Sequence, residues 1–183
     1  FDHYNALLAQ QHPESYTVEA EIDNALPQGT RSGTGDLKIT AVKLLSNGTD
    51  TNVIEQGKPI TVRLSLIAYK KVDQWCSGIS IRDRFGNTIF GTNTTMLNIE
   101  HPVMNKNDTA YIEFNFPNLT IGPGSYSISA ALHHADSHIV ATYDWWDKAE
   151  IFEVNTSPDT FSEGLCQMPV NCKLHPVSRG DEN

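Results

Sequence analysis

The sequence is short of several things, and each shortage excludes a class of protein. It has 3 cysteines in 183 residues, too few and odd in number for a disulfide scaffold. Cys76, Cys166 and Cys172 read as reduced thiols, with a Cys166–Cys172 bridge open to a chain in an oxidising compartment. Cationic residues are also few: 13 Lys and Arg face 22 Asp and Glu, a formal net charge of -9. Non-specific nucleic-acid binding draws on Lys and Arg neutralising phosphates, so no nucleic-acid partner is expected. No apolar run reaches the ~20 residues that span a bilayer, and no signal peptide is visible at the start. Neither G-x-x-x-x-G-K-[ST] nor G-x-S-x-G occurs, so the phosphate-binding loop and the serine nucleophile elbow are missing. The chain opens on Phe1 and reads as a fragment of something longer.

What the sequence does have is alternation. Ile60, Val62, Leu64, Leu66 and Ala68 alternate with Thr61, Arg63, Ser65, Ile67 and Tyr69, which predicts a half-buried strand. Ser77 to Arg84 puts Ile79 and Ile81 on one face and Ser80, Arg82 and Arg84 on the other. A two-residue turn at Gly86-Asn87 is expected to lead into Thr88-Ile89-Phe90. Leu37, Ile39 and Ala41 hold one phase and Val42 and Leu44 the other, which predicts a bulge near Ala41. Ile112, Phe114 and Phe116 form another inward face, and so do Tyr126, Ile128, Ala130 and Leu132. Ile139 to Trp146 and Glu150 to Val154 supply the last strands. About eight strands with almost no helix predict an all-β, antiparallel β-sandwich.

The ends differ in composition. Residues 1–35, with a short helix over Tyr4–Gln11, an exposed strand near Tyr16 and a Gly- and Pro-rich run, read as a leading segment and linker. Residues 36–155 read as the sandwich, and 156–183 as a Pro- and Asn-rich tail that is disordered or docks on a partner subunit. The unperiodic stretch Gly91–Asp108 is the longest loop and a functional candidate. The N-x-S/T triplets at Asn47, Asn93, Asn107, Asn118 and Asn155 follow from the Thr- and Asn-rich loops, and would matter as glycan acceptors only in a eukaryotic secreted protein.

A sugar-binding face needs planar apolar groups for the C–H faces of a pyranose and hydrogen-bonding groups for its hydroxyls. Arg63, Tyr69, Trp75, Arg82 and His133 are expected to share one sheet face, floored by Ser65, Ser80, Ser127, Ser129 and Ala131. Asn93, Trp145 and Trp146 complete the candidates; adjacent tryptophans in a strand point to opposite sides, so one packs and one faces out. The competing use of these residues is an ordinary solvated face and edge packing. Asp144 and Asp147 invite a glycosidase reading, which requires them to converge. His133, His134 and His138 with Asp136 have the residue types of a zinc site, but a strand sends His133 and His134 to opposite faces. No metal and no cofactor are expected.

The order SGTGDLKITAVKLL, EQGKPITVRLSLIAY, SGISIRDRFGNTIFGTNT, IGPGSYSISAALHH and YDWWDKAEIFEV resembles the C-terminal domain of Wzt, the nucleotide-binding subunit of ABC transporters that export O-antigen polysaccharides. The resemblance covers about Gly33 to Val154. It implies an immunoglobulin-like sandwich that reads the capped non-reducing end of an O-polysaccharide and gives export its specificity. It also implies a homodimer exchanging C-terminal strand material, a link to the membrane subunit through an ATPase portion lying before this segment, and a cytoplasmic place on the inner membrane. Arg63 and Arg82 suit a phosphate-bearing cap, because the guanidinium fork donates bidentately. The rival readings are a dimerisation or docking domain that touches no sugar, and a glycan-modifying enzyme.

Overall fold

The computed structural model describes residues 29–135, 142–159, 162–168 and 170–173. The expected helix over 4–11, the strand near Tyr16, the turn through Asp136 and Ser137, His138 and the terminal RGD lie outside them. Ten strands follow in order: β1 (Arg31–Ser32), β2 (Leu37–Ser46), β3 (Thr49–Asp50), β4 (Val53–Glu55), β5 (Ile60–Ala68), β6 (Cys76–Asp83), β7 (Thr88–Asn93), β8 (Thr109–Phe116), β9 (Gly124–His133) and β10 (Thr142–Asn155).

They make two sheets. One runs β1-β10-β9-β6-β7, with β4 pairing in parallel on the far half of β10, and the other runs β3-β2-β5-β8. The alternation that the sequence shows is the packing pattern. Leu37, Ile39, Leu44, Val62, Leu64 and Leu66 from the second sheet meet Ile79, Ile81, Ile128, Leu132 and Phe152 from the first, all at most 4% exposed. Burying such side chains at ~1.5–3 kcal/mol each is the main force holding the layers together. The result is an all-β, immunoglobulin-like sandwich.

Several details differ from the reading of the sequence. The bulge in β2 falls between Ile39 and Ala41, as expected. The β6–β7 turn is longer than two residues: Arg82 pairs with Thr88, and the Asp83 carboxylate accepts from the amides of Phe85 and Asn87. An Asx-type cap organises five residues where the Gly-Asn pair alone suggested two. The bond from the Asn87 side chain, joined by the amides of Asn87, Phe85 and Gly86, holds the Asp83 carboxyl below its ordinary range against the opposing effect of burial. The last two expected strands are one, β10, interrupted by a bulge between Trp146 and Glu150 with Lys148 at φ 48°. Regular pairing also starts earlier than Asp36, since Arg31 and Ser32 pair with Trp146 and Trp145.

The sheets are also joined by one buried ion pair. Asp144 on β10, 3% exposed, accepts Arg31 Nε at 2.9 Å and Nη2 at 2.6 Å, and the Ile39 amide of the opposite sheet at 2.7 Å. Arg31 also donates to the Ile39 carbonyl and lies over the Trp146 ring, 4.5 Å from its centroid. Asp144→Ala leaves a half-buried guanidinium and the Ile39 amide without their acceptor. It is expected to cost ~3–5 kcal/mol, read as a lowered urea midpoint; an unchanged midpoint would remove the clamp from this description.

Candidate carbohydrate-binding groove

Register builds the site. Asn93 on β7 pairs with Gly78 on β6, Gly78 pairs with Ala131 on β9, and Ala131 pairs with Trp145 on β10. These four stand in one row on the outer face of the first sheet, with Trp145 and Asn93 about 14 Å apart across three strand spacings. The next rows are Ser80 with Ser129 on one side and Cys76 with His133 on the other. Two large side chains at the ends and hydrogen, methyl and hydroxymethyl groups between them leave a shallow cavity of ≈ 110 Å³. A Cβ on Gly78 would come within 3.3 Å of Asn93, so this position keeps the floor low.

The far end is closed by charge. Two residues on from Trp145, Asp147 keeps the outward phase, and its carboxylate accepts Ser129 Oγ at 2.7 Å and Arg82 at 3.3 Å. The Lys148 amide then donates to Ser129 Oγ at 3.1 Å. This knot fixes the strand segment that carries Trp145.

At the other end, Cys76 and His133 face each other across the ladder. Burial pushes the Cys76 thiol up, but hydrogen bonding with His133, Thr94 and Thr95 outweighs it and brings the thiol from 9.0 down to about 6. For His133 burial works downward, and the Cys76 bond, the His134 carbonyl and the thiolate charge outweigh it and raise the imidazole. His133 Nδ1 lies 2.8 Å from the His134 carbonyl, so this nitrogen carries the proton. Each member of the pair shifts the other toward its charged form.

The candidates named from sequence separate into groups. Asn93, His133 and Trp145 line one groove, with Ser80, Ser129 and Ala131 in its floor and walls. Asn93 Oδ1 also accepts the Met96 amide and so shapes the following loop. Arg82 is buried at the groove's end against Asp147. Arg63 and Ser65 lie on the other sheet: Arg63 pairs with Glu113 and stands over Tyr111, far from His133. The single face expected from the sequence is therefore two faces, because β5 and β6 belong to different layers. Trp75 is 4% exposed, stacks on His101 at 3.9 Å and donates to the Pro102 carbonyl, so it offers no open ring. Trp146 packs inward under Arg31, and Trp145 is the outward one. Tyr69, 49% exposed, lines a different hollow of ≈ 330 Å³ beside Tyr143 and Arg31. Asp144 and Asp147 do not converge, since one is tied inward to Ile39 and the other outward to Ser129. Among the described residues, no three His, Cys, Asp or Glu side chains come together as a metal site. The sequence singled out Asp147 and Cys76 for other roles and Thr94 for none; cross-strand register is what brings all three to the ends of the groove.

A model of the Wzt C-terminal domain matches residues 28–168. The chain belongs to that family. Among solved structures, the crystal structure of the C-terminal domain of Wzt superposes with a TM-score of 0.71 at 20% identity, covering 81% of this chain and 90% of that one. That likeness speaks to the fold. A Niemann-Pick type C2 protein from Japanese carpenter ant reaches 0.44 at 9% identity over 66% and 92%, and a family 2 β-glucuronidase 0.41 at 14% over 62% and 12%. Neither carries an argument. The search of curated proteins finds no match. Membership supports a role in an O-antigen ABC transporter, and no described helix is long and apolar enough to cross a membrane.

If His133 supplies the proton that keeps Cys76 ionised, the Cys76 13Cβ shift titrates with a midpoint near 6, and His133→Phe moves that midpoint upward. In stability terms the depressed thiol favours the fold above its unfolded pKa and loses that contribution as pH falls through about 6. The raised imidazole contributes in the opposite sense, fully below its unfolded value and fading as pH rises through the folded one. A midpoint unmoved by His133→Phe would contradict the pairing.

Proposed function

We propose that this domain is a non-catalytic module that binds the capped non-reducing end of an O-antigen polysaccharide and thereby selects the polymer for export. The observation that carries the reading is the row Trp145, Ala131, Gly78, Asn93: an aromatic wall, a floor without bulk and an amide opposite. Trp145 suits the C–H face of one pyranose, and Asn93, His133 and Ser80 suit its hydroxyls. At ≈ 110 Å³ the groove is well below the ~300 Å³ usual for small-molecule sites, a size that covers one face of a terminal ring rather than enclosing it. Arg63, on the opposite layer, is outside this site.

The rest of the assembly belongs to the same proposal. The domain works as a homodimer on the cytoplasmic side of the inner membrane, joined to the transporter's membrane subunit through an ATPase portion. In an exchange, the bonds that the tail makes within this chain, from the Gln167 amide to the Thr120 carbonyl and from the Gly122 amide to the Leu165 carbonyl, would pass to a second copy's tail. A docking role without sugar draws on a separate observation, the exposed run of Met96, Leu97 and Ile99 beside the groove.

The test is a calorimetric titration with the purified O-polysaccharide of the organism that encodes this chain, an uncapped version and an unrelated polymer. Cognate capped polymer alone is expected to bind. Trp145→Ala is expected to weaken it about tenfold or more, ~1.4 kcal/mol, and Arg63→Ala to leave it unchanged. Binding indifferent to Trp145 would move the site elsewhere, and no binding to any polymer would favour docking.

A further inference from the structure

Beyond His133 the three strands end, β6 at Cys76, β7 at Asn93 and β9 at His133, and the residues just past those ends border a larger hollow. Two or three residues of chain lead from Gly78 to Trp75, from Asn93 to Thr95 and from His133 to Ala135. At no more than ~3.6 Å per residue this is a step of at most about 7–11 Å. Trp75, Thr95 and Ala135 all line a cavity of ≈ 540 Å³ that also takes in Gln74, Asn98 and His101. The two hollows are thus neighbours, the groove on the sheet face and the second, several times its volume, among the loops at that end of the strands.

A hydrogen-bonded divide separates them. His101 Nε2 lies 2.8 Å from Thr94 Oγ1, Thr94 Oγ1 donates to Cys76 Sγ at 3.4 Å, and the Ser77 amide donates to Thr94 Oγ1 at 3.1 Å. Thr94 has one proton, which goes to the sulfur, so His101 Nε2 is a donor. Cys76 in turn faces His133 across the ladder, and His133 lines the first compartment. The His101 ring, fixed by Thr94 and stacked on Trp75 at 3.9 Å, is a rigid planar group at the second compartment's wall.

The lining chemistry indicates what enters. Gln74 and Asn98 offer amides, Thr95 a hydroxyl, and Asp73 and Glu100 carboxylates. Lys71 stands on Asp73 at 2.8 Å, so its charge is already answered. Hydroxyl and amino groups suit such a fringe, whereas phosphate and uronate meet acid. We infer that this compartment holds the next units of the same glycan whose end occupies the Trp145 groove, and that it favours neutral or amino-bearing sugars. The inference rests on the proposed function and adds that the domain reads a length of polymer.

The experiment compares three probes by calorimetry on the unaltered chain and on Gln74→Ala/Glu100→Ala: the capped polymer, its terminal tetrasaccharide and its capped terminal monosaccharide. The unaltered chain is expected to bind polymer and tetrasaccharide about tenfold tighter than monosaccharide. The double substitution is expected to remove that advantage and leave monosaccharide binding unchanged. Equal affinity for all three probes, or an equal loss for all three, would overturn the second compartment while leaving the terminal groove standing. No binding of any probe by the unaltered chain would instead defeat the carbohydrate reading itself.

Discussion

Everything on the outer face depends on the burial of Asp144. A carboxylate taken from water needs donors, and it has three: both arms of the Arg31 fork and the amide of Ile39 in the other layer. With Asp144 committed inward, the two-residue period of a strand leaves its neighbour Trp145 no choice but the outer face. Trp146 then turns in beneath Arg31. The same contact that ties the layers together thus decides which tryptophan is available to a ligand.

The outer face owes its shape to a second irregularity. Alternation alone carries Asp147 outward to Ser129 and Arg82. The bulge that follows, with Lys148 left-handed at φ 48°, turns the Lys148 amide onto Ser129 Oγ and locks the contact. Arg82 is consumed by this architecture: a guanidinium 6% exposed and paired to a carboxylate holds the strand rather than advertising for a phosphate. At the other end the Cys76–His133 pair does comparable work, and Thr94 connects it to the loop that leaves β7.

Much of the fold could be read from the sequence because apolar alternation is a local property. The inward faces of β2, β5, β8 and β9, and the bulge in β2, follow from residues close in sequence. The small outer side of β9, Ser127, Ser129, Ala131 and His133, was equally visible, and Ser129, Ala131 and His133 of it line the groove. What alternation does not contain is which strands share a sheet. Arg63 and Arg82 both sit on polar faces, yet β5 and β6 are in opposite layers, so grouping them needed pairing information. Trp75 misled for a related reason: it precedes β6, where period-two logic does not apply, and its indole finds a carbonyl and a histidine within the core. The Asp147 and Thr94 contacts span 18 residues each, separations at which no short pattern is informative.

The account centres on one claim, that the row ending in Trp145 is where a glycan sits. The most direct measurement is the set of indole 15N–H resonances with and without the capped polymer. Trp145 lines the groove and Trp146 lies under Arg31 on the other side of the same strand. A shift of the Trp145 indole with Trp146 unmoved is the expected result. Movement of Trp146 with Trp145 unaffected would place the ligand on the wrong side of β10 and contradict the account.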